Sequence, residues 1–221
     1  PGLVVLKLGG AIAGDAAETI LALANERDVV VVHGAGPQIS ALMRERGLEV
    51  RFVDGRRFTT PEALALVRGS LADVNATLCA AIGPRAVGLM GDELGLEANP
   101  VPRLGLVGDP LPSCPALVTS ALREGRIPVI APLAKGPLNV NADEAAVARA
   151  LIPFVSKLQN CKRRPVDRHI HAVIVDVADR GVAVVEAGHH VAALDRPYLD
   201  HRAPRSVRIR AHARRVEKNA D

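Results

Sequence analysis

Val29-Val30-Val31-Val32-His33-Gly34-Ala35-Gly36-Pro37 is the stretch that decides the fold. An unbroken β-branched run shows no polar alternation, so it reads as a strand covered on both faces, the situation of a strand inside a parallel sheet. Gly34 and Gly36 permit a tight turn and close approach of backbone to a ligand, and Pro37 suits the first turn of a following helix. A helix opened in this way presents unpaired N–H groups beyond the strand end, which attract phosphate or carboxylate. Glycines between strand and helix are also ordinary turn residues, so the motif takes its meaning from a second one.

That second one is Leu3-Val4-Val5-Leu6-Lys7-Leu8-Gly9-Gly10-Ala11, again an apolar strand running into glycines. A lysine at the end of a buried strand is costly unless its ammonium reaches water or an anion. Snorkelling at a sheet edge satisfies it, and so does a phosphate. Two glycine turns from neighbouring parallel strands converge at the carboxyl end of the sheet, where open α/β folds bind ligands. No G-x-x-x-x-G-K-[ST] occurs, which excludes a Walker P-loop, and no well-placed G-x-G-x-x-G with a ribose-binding acid accompanies these turns.

Up to about Ala150 strands alternate with helices, the pattern of an α/β fold with a mainly parallel central sheet and helices on both faces. The spacing predicts a helix capped by Asp15 and running through Asn25, and another over Pro37–Arg46 stopped at Gly47. A strand at Val50–Val53 leads to the polar turn Asp54-Gly55-Arg56-Arg57. Thr60 as cap and Pro61 at the first position start a helix through Val67, Leu71, Val74 and Leu78. Ala86–Met90 reads as a buried strand, Pro100–Pro112 as irregular chain or short hairpins, and Pro115–Glu124 as a helix ended by Gly125. A strand follows at 127–132, then a turn at Lys135-Gly136-Pro137 and a helix over Glu144–Leu151. Asn139, Asn141 and Asp143 alternate, so in an extended segment they face one side, at the same rim as Lys7. Equally, Asp143 reads as a helix cap and the asparagines as turn residues.

The net charge of +4 is unevenly spread. Residues 1–157 carry 15 Lys+Arg against 16 Asp+Glu, whereas residues 158–221 carry 13 against 8. All the histidines but His33 also lie in this second part, so the chain changes character near Lys157. Cys79, Cys114 and Cys161 are widely separated with no C-x-x-C, which argues against a disulfide framework or a zinc ribbon and for small buried residues. No apolar run is long enough to span a membrane, and the start lacks the basic-then-apolar order of a signal peptide, so a cytoplasmic location is expected.

In order and spacing six blocks resemble the amino acid kinase family: K-L-G-G at 7–10, H-G-A-G-P at 33–37, D-G-R-R-F-T at 54–59, A-V-G-L-M-G at 86–91, I-P-V-I-A-P at 127–132 and N-V-N-A-D at 139–143. They cover residues 1–151, which in the family form the lobe that binds an acyl-amino acid and supplies the dimer contact. The resemblance implies that Lys7 stabilises charge on the transferring phosphoryl group and that Asp143 orients catalytic lysines. It places Gly9, Gly10, Gly34, Ala35 and Gly36 around the phosphate, with Gly10 and Gly36 donating N–H bonds. Arg57 would clamp the substrate α-carboxylate with its planar fork, and Asn139 and Asn141 would bind the acyl-amino acid. The implied reaction moves the γ-phosphate of ATP, with Mg²⁺, onto the side-chain carboxylate of N-acetyl-L-glutamate in arginine biosynthesis. The implied assembly is a homodimer through the N-terminal lobe. An acceptor one methylene longer, N-acetyl-aminoadipate, is a close alternative. Two positions depart from the family pattern. Ala35 replaces the middle glycine of H-G-G-G, disfavouring positive φ there, and Ala11 stands where relatives have serine.

The resemblance stops after Leu151. Neither an L-T-D-V-x-G segment nor a G-G-M-x-x-K segment with a second lysine follows; instead 152–221 is an atypical, reduced and basic C-terminal region. Ala172–Val177 and Val182–Val185 read as a hairpin. Arg202–Arg215 reads as a solvated basic tail. With Tyr198 as the lone aromatic after Phe154, base stacking and hence nucleic-acid binding have little support. His169/His171 and His189/His190 match no zinc spacing, and no metal site is assigned. Three readings of this region stand: a shifted reading frame near 151–160, a reduced nucleotide lobe, or a non-catalytic binding protein that keeps only the acyl-amino-acid site.

Overall fold

The computed structural model describes residues 3–9, 16–111, 113 and 115–147, together with the backbone of 172–178 and 181–187. At its centre is a sheet of six strands in the order β12-β11-β1-β2-β8-β5. These are β1 (Leu3–Leu8), β2 (Asp28–His33), β5 (Ala86–Met90), β8 (Ile127–Ala131), β11 (Ala172–Ala178) and β12 (Gly181–Ala187). All neighbours run parallel except β12, which returns antiparallel along β11.

The valine run lies in the middle of this sheet, and its alternation explains why no polar residue interrupts it. Val29 and Val31 point into one core with Leu6, Leu8 and Val129, while Val30 and Val32 point into the other with Leu3, Val5 and Ile130. The first face is covered by α1 (Ala17–Glu26), α2 (Gly36–Glu45) and α3 (Pro61–Ile82), and the second by α4 (Ala116–Arg123) and α5 (Ala142–Val147). Short paired strands sit at the carboxyl rim: β3 (Phe52–Val53) with β4 (Arg56–Arg57), β6 (Ala98–Pro100) with β7 (Gly108–Pro110), and β9 (Leu133–Ala134) with β10 (Leu138–Asn139).

Several expected boundaries shift for identifiable reasons. The strand expected at Val50–Val53 shortens to Phe52–Val53, because Asp54 (φ 51°) and Gly55 (φ 76°) form a two-residue turn that makes Arg56 and Arg57 its partner strand. Positive φ at both central residues is the type I′ geometry, which Asp-Gly serves. The helix expected from Glu144 begins at Ala142, since the Asn141 side chain accepts from the N–H groups of Asp143 (2.7 Å) and Glu144 (3.4 Å). Asn141 is therefore the cap, and Asp143 lies in the first turn. The expected hairpin at 172–185 is present as β11 and β12, and β11 joins the central sheet beside β1. Asp15, Ala11, Cys114, Cys161, the C-terminal histidines, Tyr198 and the tail 202–215 lie outside the described residues.

The longest helix, α3, is long and apolar enough to cross a membrane by length and composition alone, which the reading of the sequence did not anticipate. It carries Glu62, Arg68 and Asp73, and it buries Val67, Leu71, Val74 and Leu78 against the sheet. Its start is as expected, with the Thr60 hydroxyl accepting from the Ala63 N–H at 3.2 Å. Leu78→Ala is expected to cost about 2–5 kcal/mol, since the site is closed on all sides. Thr60→Ala is expected to cost about 1 kcal/mol through the lost cap. Urea midpoints of both variants check the order; a cap loss exceeding the cavity loss contradicts this packing.

Candidate functional site

The parallel register sets Lys7 beside Val32 and Leu8 beside His33, so β1 and β2 end at the same level. The Gly34 N–H donates to the Leu8 carbonyl at 2.9 Å, tying the two strand ends together. Beyond them opens a cleft of about 260 Å³ lined by Lys7, Gly9, Gly34, Ala35, Gly36, Arg57, Asn139, Asn141 and Asp143. The sequence-predicted site residues thus converge on one cavity, apart from Gly10, which lies outside the described residues.

Period two along β1 puts Lys7 on the face covered by α5, and α5 carries Asp143 in its first turn. The Lys7 Nζ and Asp143 Oδ1 are 2.8 Å apart, with the lysine side chain mostly buried and the carboxylate half exposed. The carboxylate therefore holds the ammonium at the cleft wall while water reaches its other side.

Arg56 and Arg57 are adjacent in sequence and opposite in circumstance. The Arg56 Nε and one terminal nitrogen lie 2.7 Å from Glu144 Oε1, and the other terminal nitrogen meets Asp109. Burial alone would lower its pKa, but the combined attraction of Glu144 and Asp109 raises it, so the guanidinium is firmly charged. Burial in turn lifts the Glu144 carboxyl, with Arg56 offsetting part of that cost. Arg57 is only 6% exposed and has no acid partner among the described residues. Its donors meet neutral acceptors on α2: the Gly36 carbonyl (3.1 Å), Ser40 Oγ (2.8 Å) and Met43 Sδ (3.3 Å). Phe52 covers it from the hairpin, its ring centroid 4.7 Å from Cζ. Burial and the nearby charge of Arg44 both push the Arg57 pKa down, the signature of a cation lacking its counter-charge.

Asn139 donates from Nδ2 to Thr59 Oγ1 (3.1 Å), and that hydroxyl donates to the Arg57 carbonyl (3.0 Å), so β10 and β4 are coupled through a fully buried threonine. The glycines of the site are revealing. None of Gly9, Gly34 and Gly36 has positive φ, and a methyl placed on Gly9 or Gly36 would meet no atom of the described residues within 4 Å. Neither a positive φ nor contact with the described residues requires glycine at these two positions. Ala35 adopts φ −138° and ψ 30° and is buried against the core, so no positive φ is needed at that position. Among the described residues no group of three His, Cys, Asp or Glu side chains is placed to hold a metal ion.

The sequence profile described as the amino acid kinase family matches residues 2–160. The chain belongs to the amino acid kinase family. It is 40% identical over 149 residues to an acetylglutamate kinase of Leifsonia xyli subsp. xyli, covering 58% of this chain and 49% of that protein. It is 36% identical over 176 residues to an acetylglutamate kinase of Thermus thermophilus, covering 74% of this chain and 71% of that protein. The chain spans about half the length of most curated relatives it matches. Among solved structures, the smu.665 protein of Streptococcus mutans UA159 superposes with a TM-score of 0.59 at 26% identity, covering 66% of each chain. The N-acetylglutamate synthase of Neisseria gonorrhoeae gives 0.57 at 20% identity, covering 66% of this chain and 38% of that one, a likeness of fold.

Sequence reasoning missed Arg56, Thr59 and Ser40, whose roles depend on partners far along the chain. It also passed over His33 as more than a letter of a motif. His33 is fully buried, and burial, opposed in part by the Gly34 carbonyl, depresses its pKa from 6.5 to about 4. Below pH 6.5 the unfolded chain takes up a proton that the folded chain refuses until about pH 4. The contribution is therefore complete above pH 6.5 and lost on acidification across that window, amounting to ~3 kcal/mol. His33→Asn should be less stable than wild type at pH 7.5, with a shallower fall between pH 6.5 and 4. Parallel slopes in urea titrations of the two proteins would contradict a neutral buried imidazole.

Proposed function

We propose that this chain is an acetylglutamate kinase acting in the cytoplasm in arginine biosynthesis, with residues 1–151 forming the lobe that holds the acceptor and the moving phosphoryl group. The observation that carries the reading is Arg57: a buried guanidinium without an acid partner among the described residues, at the wall of a cleft that also contains a lysine and a glycine turn. Such a cation is stabilised by a bound anion, and its fork suits a carboxylate. The names of the relatives support N-acetyl-L-glutamate as acceptor over its longer homologue and over a role without turnover.

ATP would supply the phosphoryl group when bound, and an accompanying Mg²⁺ would neutralise charge on its phosphates. The acceptor's side-chain carboxylate is ionised at neutral pH, so no general base is required; positioning and charge neutralisation suffice. In this reading Arg57 fixes the α-carboxylate, and Asn139 and Asn141 border the acyl-amino acid. Lys7, oriented by Asp143, faces the negative charge that builds on the transferring group, together with the N–H groups opening α2. The exposed face of α3 carries Ala65, Gly69, Ala72, Ala76 and Ala80, small residues that allow close helix packing and support a homodimer through this lobe.

A hydroxamate assay with ATP and N-acetyl-L-glutamate tests the reading directly, alongside calorimetry with the acceptor. Arg57→Ala should raise the acceptor KM about tenfold or more with a smaller effect on kcat, as expected for a lost charged hydrogen-bond pair. Lys7→Ala should leave KM nearly unchanged and lower kcat by about a hundredfold or more. Acceptor binding without turnover in the wild-type protein sinks the enzyme reading. For the assembly, Ala76→Glu should convert a sedimenting dimer to monomer; an unchanged sedimentation coefficient places the contact elsewhere.

A further inference from the structure

Behind the glycine turn, and outside the cleft, lies a buried polar group that the proposed chemistry does not use. Asn75, in the middle of α3 and 6% exposed, reaches across the core to the end of β2. Its Nδ2 is 2.9 Å from the Val129 carbonyl on β8 and 3.0 Å from His33 Nε2. A helix that packs most of its other inward positions with apolar residues such as Val67, Leu71, Val74 and Leu78, Ser70 excepted, has a physical reason to place an apolar residue here instead.

The donor inventory fixes the arrangement. A carbonyl oxygen only accepts, so the Asn75 atom facing Val129 must be the NH2 group and not the amide oxygen. The second hydrogen of that NH2 points to His33 Nε2, which must then offer its lone pair. His33 is thereby held as the neutral tautomer with its proton on Nδ1, and Nδ1 faces the Gly34 carbonyl in a long contact of 3.5 Å. The amide oxygen of Asn75 takes the Cys79 thiol, 3.7 Å away on the next turn of α3. Cys79 is the other titratable group of this cluster, and burial raises its pKa, so it stays a neutral thiol donor.

Gly88 shows that the fold makes room for this group. A methyl on Gly88 in β5 would lie 2.3 Å from Asn75 Oδ1 and 3.0 Å from Cys79 Sγ, although the φ of Gly88 is one any residue adopts. Three elements, β2, β5 and β8, thus contribute a histidine, a gap and a carbonyl to seat one asparagine. The turn that leaves His33 is the one whose Gly34 N–H is tied to Leu8 and whose Gly36 opens α2 toward the cleft.

We propose that Asn75 is a positioning residue for phosphoryl transfer: by holding His33 as the neutral Nδ1–H tautomer, it sets the 34–36 turn against which the transferring group is placed. The consequence for transfer rests on the kinase reading above, whereas the tautomer and the turn geometry do not. Mispositioning the turn by a fraction of an ångström degrades donors that matter most in the transition state, so the effect falls on kcat rather than on acceptor KM.

Long-range ¹H–¹⁵N spectra of the imidazoles, with His33 assigned by its absence in His33→Asn, test this in the full chain. Wild type should show His33 with a protonated Nδ1 and an unprotonated Nε2, unchanged between pH 5.5 and 8. A proton on Nε2, or titration near the ordinary histidine range, overturns the proposal without any variant having to fold. Asn75→Asp replaces the donor with an acceptor and should move the proton to Nε2; Gly88→Ala, acting from another strand, should disturb the same His33 signals. Both should shift the backbone amide resonances of Gly34, Ala35 and Gly36 and lower kcat at least tenfold, with acceptor KM within threefold. An altered His33 tautomer with unmoved 34–36 amides overturns the link to the turn. Wild-type protein with the expected His33 spectrum but no turnover sinks the kinase reading alone, and turnover with Nε2 protonated sinks the positioning role alone.

Discussion

The register between β1 and β2 is the constraint on which the rest depends. Because Leu8 stands opposite His33, both strands end at one height, and the Gly34 N–H can close on the Leu8 carbonyl. A slip of one residue would exchange the two faces of β1, turning Lys7 from α5 toward the core that α2 and α3 fill. It would also separate the glycine turns. The register is secured from both faces at once, since alternate residues of each strand enter different, fully packed clusters. The site is thus a by-product of a well-determined core, and its precision is inherited from the sheet rather than built by the loops.

Charge is then distributed by distance from that rim. Lys7 and Arg56, both at the cleft wall, find acid partners, while Arg57 finds none among the described residues. The two neighbouring arginines do different things because they alternate on β4. Arg56 fastens the hairpin to α5 and β7, and Arg57 is directed onto α2. Breaking the first contact frees the hairpin and leaves Glu144 buried without its cation; breaking the second removes the unpaired positive charge from the cleft. Burying Arg57 among neutral acceptors is costly, and an anion in the cleft would offset that cost.

What the sequence made legible was local or periodic. The valine run, the Thr60-Pro61 helix start, the glycine turns and even the hairpin at 172–187 each announce themselves within a few residues. The gathering of Asn139 and Asp143 at the rim of Lys7 was legible from strand alternation, whereas the place of Arg57 came from the order of six blocks. What stayed hidden was pairing at long range. Nothing near Arg56 reveals that its acids are Asp109 and Glu144, and nothing near Asn75 reveals His33. The helix expected at Glu144 starts earlier because a side chain, Asn141, competes for its first N–H groups. Asp54-Gly55 reads as a turn in sequence, but that it makes strand partners of Phe52 and Arg57 depends on φ values that composition leaves open.

Ala35 shows how the turn divides its labour. Read as a sequence, alanine in place of glycine threatens both the backbone and the path of the phosphate. In the fold its φ is negative, and its side chain lies in the core that also holds Leu8 and Ile39, so position 35 serves the packing. The open positions are 9 and 36, on either side, where a methyl would meet no atom of the described residues. Gly36 is also the residue whose carbonyl receives Arg57, so the cation and the opening of α2 are fixed to the same peptide unit. An anion bound at one would lie within the field of the other.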